Sequence, residues 1–237
     1  MNVQTLQQPP SLVPEQLEAI RRLDTCTVAN AIETFEKRLR NEGFTDASVR
    51  CLFPRLAPMV GYAVTATIHC SGPPPEGHAY LDRTDWWNHI LSVPAPRVVV
   101  IEDADQHPGS GALLGEVHAN ILIALDCVGA VTNGAVRDLP AVEAIGFPFF
   151  AGNVAVSHSY VHIVRVGGAV EVGGLRVRPG DLLHGDCHGV LSIPWEIAAE
   201  IPLVAARIIE QERKLIGLCR AADFSLEKLR RAVREKA

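Results

Sequence analysis

The segment Gly129–Asp138, GAVTNGAVRD, ends in an arginine followed directly by an aspartate. The tetrapeptide Gly115-Glu116-Val117-His118 begins 22 residues before that arginine. Arg137 is a planar cation that can grip a carboxylate through two N–H groups. Asp138 offers hard oxygen atoms to a divalent cation. Together they suit activation of a small 2-oxo acid. Glu116 adds a second acid that could hold a metal through water. Gly109, Gly111 and Gly115 crowd one loop-to-helix junction, where backbone N–H groups and a helix N-terminus can approach an anion. Each feature also has a plain structural role. Asp138 could cap the helix that follows it, Glu116 could be a solvated first-turn glutamate, and Arg137 could form a surface salt bridge.

These residues need a scaffold, and the pattern of the chain supplies one. PRVVVIED reads as a buried strand, followed by the Gly109–Gly111 turn and a helix over roughly 112–126. GAVTNG reads as the next strand, RDLPAVEAIG as a helix and FPFFAG as a third strand. This alternation predicts a βαβαβ unit with a parallel sheet. Ligands of such sheets bind beyond the carboxyl ends of the strands, which is where Arg137 and Asp138 fall. Upstream, Pro14 opens one helix, and Asp24, Thr25 or Thr27 caps a second. Val60–Cys70 reads as a strand. The segment with Asp82, Asp85, Trp86 and Trp87 reads as a loop or short helix, its tryptophans serving packing, a pocket or an interface. Beyond Tyr160, Gly-rich short strands predict an antiparallel or mixed β layer beside the α/β part. From Trp195 the chain is helical, with Ser225 capping the last helix. The expected organisation is an N-terminal extension (1–19), one domain (20–217) and a helical tail (218–237).

Composition narrows the function classes. Of 237 residues, 48% are hydrophobic but only 5% aromatic, so the core must be built from Val, Ile, Leu and Ala. A net charge of -5 with acids and bases interspersed argues against a nucleic-acid surface. No apolar run reaches the ~18 residues of a membrane span. The six cysteines are scattered without a CxxC pair, and the N-terminus lacks a signal-peptide pattern. Both points imply reduced thiols in a cytoplasmic protein. His158/His162 and His184/His188 have i,i+4 spacing, which makes a metal pair only on a helix, and both segments read as strand and loop. Lys37, Lys214, Lys228 and Lys236 fall on exposed helical stretches, so a Schiff-base mechanism is not expected.

GEVHANILIALDCVGAVTNGAVRDLPAVEAIGFPFFAG, followed by GGLRVRPGDLLHGDCHGVLSIP, resembles the RraA-like family over about residues 20–217. The family includes regulators of ribonuclease E activity and 4-hydroxy-4-methyl-2-oxoglutarate (4-carboxy-4-hydroxy-2-oxoadipate) aldolases. The resemblance implies an α/β/β sandwich related to swivelling phosphohistidine domains, assembled as homotrimers or homohexamers with interface active sites. By likeness to the aldolase branch, Arg137 binds the pyruvyl carboxylate and keto oxygen, and Asp138 ligates Mg²⁺ or Mn²⁺. Gly115, Glu116, Val117 and His118 then supply N–H groups to the substrate, and Glu116 holds a metal-bound water. The implied activity is metal-dependent retro-aldol cleavage to pyruvate, with oxaloacetate decarboxylation alongside and no organic cofactor. Asp138 favours this branch over a non-enzymatic trimeric regulator. Three positions depart from the family pattern: His118 in an apolar place, Asn133 where aspartate is frequent, and Cys187-His188 in an acid-rich turn. A neighbouring subunit's glutamate completes the aldolase site, with Glu210 and Glu212 as the candidates here.

Overall fold

The structure is a computed structural model, and it describes residues 12–74 and 83–234. Most of the N-terminal extension, Asp82 and Lys236 lie outside the described residues. The chain opens with α1 (Pro14–Arg21), α2 (Thr25–Glu33), β1 (Arg50–Cys51), β2 (Met59–His69) and α3 (Arg83–Leu91). Next come β3 (Arg97–Asp103), β4 (Ala112–Leu114), α4 (Glu116–Ala124), β5 (Cys127–Val136), α5 (Leu139–Ala144) and β6 (Phe149–Val154). Then follow β7 (His162–Val166), β8 (Val170–Val172), β9 (Leu175–Val177), β10 (Leu182–Asp186), β11 (Gly189–Ile193), α6 (Ile201–Arg220) and α7 (Leu226–Arg234).

The main sheet runs β1-β6-β5-β3-β2-β10-β11, with β4 on β5 and β7 on β2. β2, β3, β5 and β6 are mutually parallel neighbours, as the βαβαβ pattern requires. Their near-continuous apolar runs reflect burial on both faces. Val64, Val99, Ala130 and Phe149 point to the helix-covered face, together with Leu17, Ile20, Ile32, Trp86, Leu122 and Ile201 from the helices. Ala63, Val98, Val131 and Phe150 point to the other face, which Val170, Val172, Leu175 and Val177 of the β8–β9 hairpin cover. Each fully buried Val, Leu, Ile or Phe side chain among these contributes roughly 1.5–3 kcal/mol. The result is a mixed α/β fold of helices, sheet and hairpin.

Two expectations change. The Gly-rich segment does not form a separate layer: only β8 and β9 do. β7, β10 and β11 extend the main sheet antiparallel from β2. The helix expected from Ala112 starts at Glu116, because Ala112–Leu114 pairs with Ala135 and Val136 as β4. At the N-terminus, α1 straddles position 19 and places Leu17 and Ile20 in the core. Asp24 is the cap of α2, accepting from the Thr27 N–H at 2.8 Å. Trp86 of α3 is buried in the core, and Trp87 packs against it.

His184 on β10 is fully buried, its Nε2 lying 3.0 Å from the Leu23 carbonyl and its Nδ1 3.1 Å from the Thr25 hydroxyl. A carbonyl only accepts, so the proton sits on Nε2 and Thr25 donates to Nδ1. Burial, partly opposed by the nearby Asp186, pushes this imidazole below its ordinary range. The unfolded chain takes up a proton as pH falls through about 6.5, while the folded chain resists it. Stability is therefore expected to decline below that pH, by at most about 1.4 kcal/mol per pH unit from this group. Glutamine can reproduce both hydrogen bonds, so thermal melts of His184→Gln should show a shallower loss between pH 6.5 and 5. An unchanged slope would mean His184 does not carry it.

Candidate functional site

β4 converts the 22-residue spacing into contact. Leu114 is paired with Val136, and the Arg137 N–H donates to the Leu114 carbonyl at 3.0 Å. Gly115 and Arg137 therefore leave adjacent strand ends side by side. Gly115 is the N-cap of α4. A Cβ there would lie 2.5 Å from Asp138 Oδ2 and 2.9 Å from Arg137 Cγ, so only glycine lets these segments approach so closely.

Asp138 has φ +57°, a left-handed conformation that aspartate tolerates better than most residues. It stands before α5, yet its carboxylate makes no bond to its own helix. It turns to α4 instead, where Oδ2 accepts from the Glu116 N–H at 3.2 Å. Arg137 Nε donates to Oδ1 and Oδ2 of the same carboxylate at 3.1 and 3.2 Å. Partial burial raises the Asp138 carboxyl, but the Glu116 N–H and the Arg137 guanidinium outweigh it and hold it below the usual carboxylate range. It is therefore an anion at neutral pH. The side chains of Arg137 and Asp138 remain 29% and 35% exposed, open to a ligand. Glu116 is exposed, Val117 is 73% exposed and His118 is half-buried on α4.

The sequence offers His158 only as a metal pair with His162, whereas the structure sets it against Arg137. Its Nδ1 lies 3.1 Å from an Arg137 terminal nitrogen. Arginine only donates, so His158 accepts on Nδ1 and carries its proton on Nε2 when neutral. The loop holding it closes over Gly111, where a Cβ would meet the His158 carbonyl at 2.4 Å. The Gly109–Gly111 turn thus seats the His158 loop, while Gly115 seats Asp138. Gly109 is fixed from below, its N–H donating to Asp103 Oδ2 at 2.8 Å. Asn133 ties β5 to β3, accepting from the Asp103 N–H at 2.7 Å and donating to the Asp103 carbonyl at 3.0 Å. An aspartate could only accept, so asparagine suits this double tie.

Glu210 and Glu212 lie on α6, and Glu210 pairs with Lys214 of its own helix at 2.7 Å. Lys37 and Lys214 are exposed, and Lys228 pairs with Asp223.

The profile of the Aldolase/RraA family, RraA-like, matches residues 25–192. The chain belongs to that family. An uncharacterised protein of Methanocaldococcus jannaschii is 39% identical over 88 residues, covering 37% of this chain and 42% of that protein. A protein of Halalkalibacterium halodurans, provisionally named 4-hydroxy-4-methyl-2-oxoglutarate aldolase, is 33% identical over 101 residues, 42% of this chain and 48% of its own length. The matches thus span less than half of these curated relatives. Among solved structures, a Streptomyces coelicolor protein described as an unusual member of the RNase ES inhibitor RraA family superposes with a TM-score of 0.67. It is 20% identical and covers 89% of this chain and 99% of its own, a likeness of fold. No helix among the described residues is long and apolar enough to cross a membrane.

Proposed function

We propose that this RraA-like protein is a divalent-metal-dependent carbon–carbon lyase that releases pyruvate from a 4-hydroxy-2-oxo acid. Candidate substrates are 4-hydroxy-4-methyl-2-oxoglutarate and 4-carboxy-4-hydroxy-2-oxoadipate, with oxaloacetate decarboxylation as a side activity. One observation carries this reading: an ionised, half-exposed Asp138 held between Arg137 and the first N–H of α4. The name given to the Halalkalibacterium relative supports it.

The donors fit Mg²⁺ or Mn²⁺. Asp138 and the neighbouring Glu116 present hard carboxylate oxygens, and among the described residues Asp138 Oδ1 accepts from Arg137 alone, leaving a lone pair available. When bound, such a cation supplies Lewis-acid polarisation of the 2-oxo group. Arg137 binds the substrate carboxylate and offsets negative charge that develops on the keto oxygen. His158 holds the guanidinium from its far side and fixes its direction. The first turn of α4 at Gly115–His118 adds N–H groups and the positive end of the helix. No described lysine lies among these residues, so the reading needs no Schiff base.

The site is expected to be completed by a second copy of the chain, in a homotrimer or homohexamer, with Glu210 or Glu212 as the donated acid. Val117, next to Glu116, and Val154, Val156 and Tyr160, close to His158 in the chain, are exposed apolar side chains suited to burial between copies.

The test is pyruvate release from 4-hydroxy-4-methyl-2-oxoglutarate and from oxaloacetate, read through lactate dehydrogenase, with Mg²⁺, with EDTA and with a no-enzyme blank. EDTA-sensitive release from the aldol substrate is the expected result. Decarboxylation alone would keep the metal site and change the substrate. Release from neither would replace this reading with that of a non-enzymatic binding protein.

A further inference from the structure

We propose that the turn between β10 and β11 is a second metal site, taking one zinc-class cation on Asp186, Cys187 and His188. Asp186 pairs with Gly189 across the hairpin, which leaves Cys187 and His188 as its two central residues. The ligand atoms of all three side chains lie within 4.8 Å of one another. Cys187 Sγ is 3.5 Å from His188 Nδ1, and that nitrogen is 3.0 Å from Asp186 Oδ1.

A proton-relay triad would place the thiol and the carboxylate on opposite ring nitrogens. Here both meet the same nitrogen, so three donor atoms converge on one point, as ligands of an ion do. The Asp186 side chain is buried and locked in direction. Its Oδ1 accepts from the His188 N–H at 2.8 Å and its Oδ2 from the Thr25 N–H at 2.8 Å. The second of these bonds brings the first turn of α2 against the hairpin. Cys26, the residue after Thr25, is exposed and stands outside this group of three donors.

A set of sulfur, imidazole nitrogen and one carboxylate is borderline-soft and selects Zn²⁺ over Mg²⁺ or Mn²⁺. It is the chemical opposite of the all-oxygen pair Asp138 and Glu116. An ion here would brace Asp186, whose Oδ2 already ties the hairpin to the first turn of α2. It is a site apart from the proposed lyase centre and does not depend on that reading.

Cobalt is the probe. Chelator-stripped full-length chain titrated with Co²⁺ should develop a near-ultraviolet thiolate-to-cobalt absorption that saturates at one ion per chain. Zn²⁺ should displace it and Mg²⁺ should not. Cys187→Ser should abolish the band. His188→Ala should weaken binding by more than the about 10- to 100-fold typical of losing an outer-shell partner. Cys219→Ser, on α6, should change nothing, and neither should Asp138→Ala, which separates this site from the lyase centre. Circular dichroism identifies a variant that fails to fold, in which case the other ligand variant decides. A band that survives in Cys187→Ser, Co²⁺ uptake without thiolate absorption, or no saturable uptake would each overturn the proposal.

Discussion

Replacing Asp138 by alanine is expected to lower kcat/KM for pyruvate release by at least the roughly 10²–10³-fold that follows loss of one preorganised electrostatic group. The fold should survive. The carboxylate makes no bond to α5, so little helix stability depends on it. Its ion pair with Arg137 is partly exposed and contributes at most about 1 kcal/mol. Alanine does meet one cost of its own, the left-handed backbone at φ +57°. Asp138→Asn avoids it, because asparagine tolerates that conformation and its carbonyl oxygen can still accept from the Glu116 N–H. Only the charge is lost. The Asn variant should therefore melt like the parent and yet share the activity loss of the Ala variant. Wild-type turnover in both would refute the role given to Asp138. Activity lost in Ala but kept in Asn would mean that shape at this position matters and charge does not.

Much of this arrangement is legible in the sequence, and the reason is local. β3, β5 and β6 are short Val-, Ile- and Phe-rich runs alternating with helical segments, so their parallel order follows from spacing. Arg137 and Asp138 sit at the end of such a run, and the rule that ligands gather beyond strand carboxyl ends places them. What escaped depends on partners distant in sequence. The three residues of β4 are too few to show a period, and they are a strand only because Ala135 and Val136 offer hydrogen bonds. β10 and β11 read as Gly-rich strands of a separate layer, but β2 accepts β10 along the edge opposite β3. No local pattern encodes which edge is open. The contact of His158 with Arg137 escaped for the same reason. The histidine stands in a loop 21 residues beyond Arg137, and its neighbours say nothing of the contact. Gly111 held the available signal: a glycine beside an expected helix start marks a place where another backbone comes close.

Gly115→Ala is expected to reduce kcat/KM by about 10²-fold, the loss that a 1 Å misplacement of a reacting group can cause. The backbone is no obstacle. Gly115 has φ -154° and ψ -164°, an extended conformation that alanine adopts freely. The conflict is between side chains: the new methyl would sit 2.5 Å from Asp138 Oδ2, so the carboxylate must move. Asp138 and Arg137 are partly exposed and have room to swing, so the stability loss should stay near the lower end of the roughly 1–3 kcal/mol cost of overpacking. Movement of Asp138 breaks its bond to the Glu116 N–H and frees Arg137 together with it. The damage should therefore pass through Asp138, and a double-mutant cycle can test that. In an Asp138→Ala background the nearer obstruction is absent and only the Arg137 Cγ contact at 2.9 Å remains, so adding Gly115→Ala should cost less activity than it does in the parent. Fully additive losses would show that the alanine acts elsewhere, on the N–H groups of α4 or on Arg137 alone, and that Gly115 is not there to make room for the carboxylate.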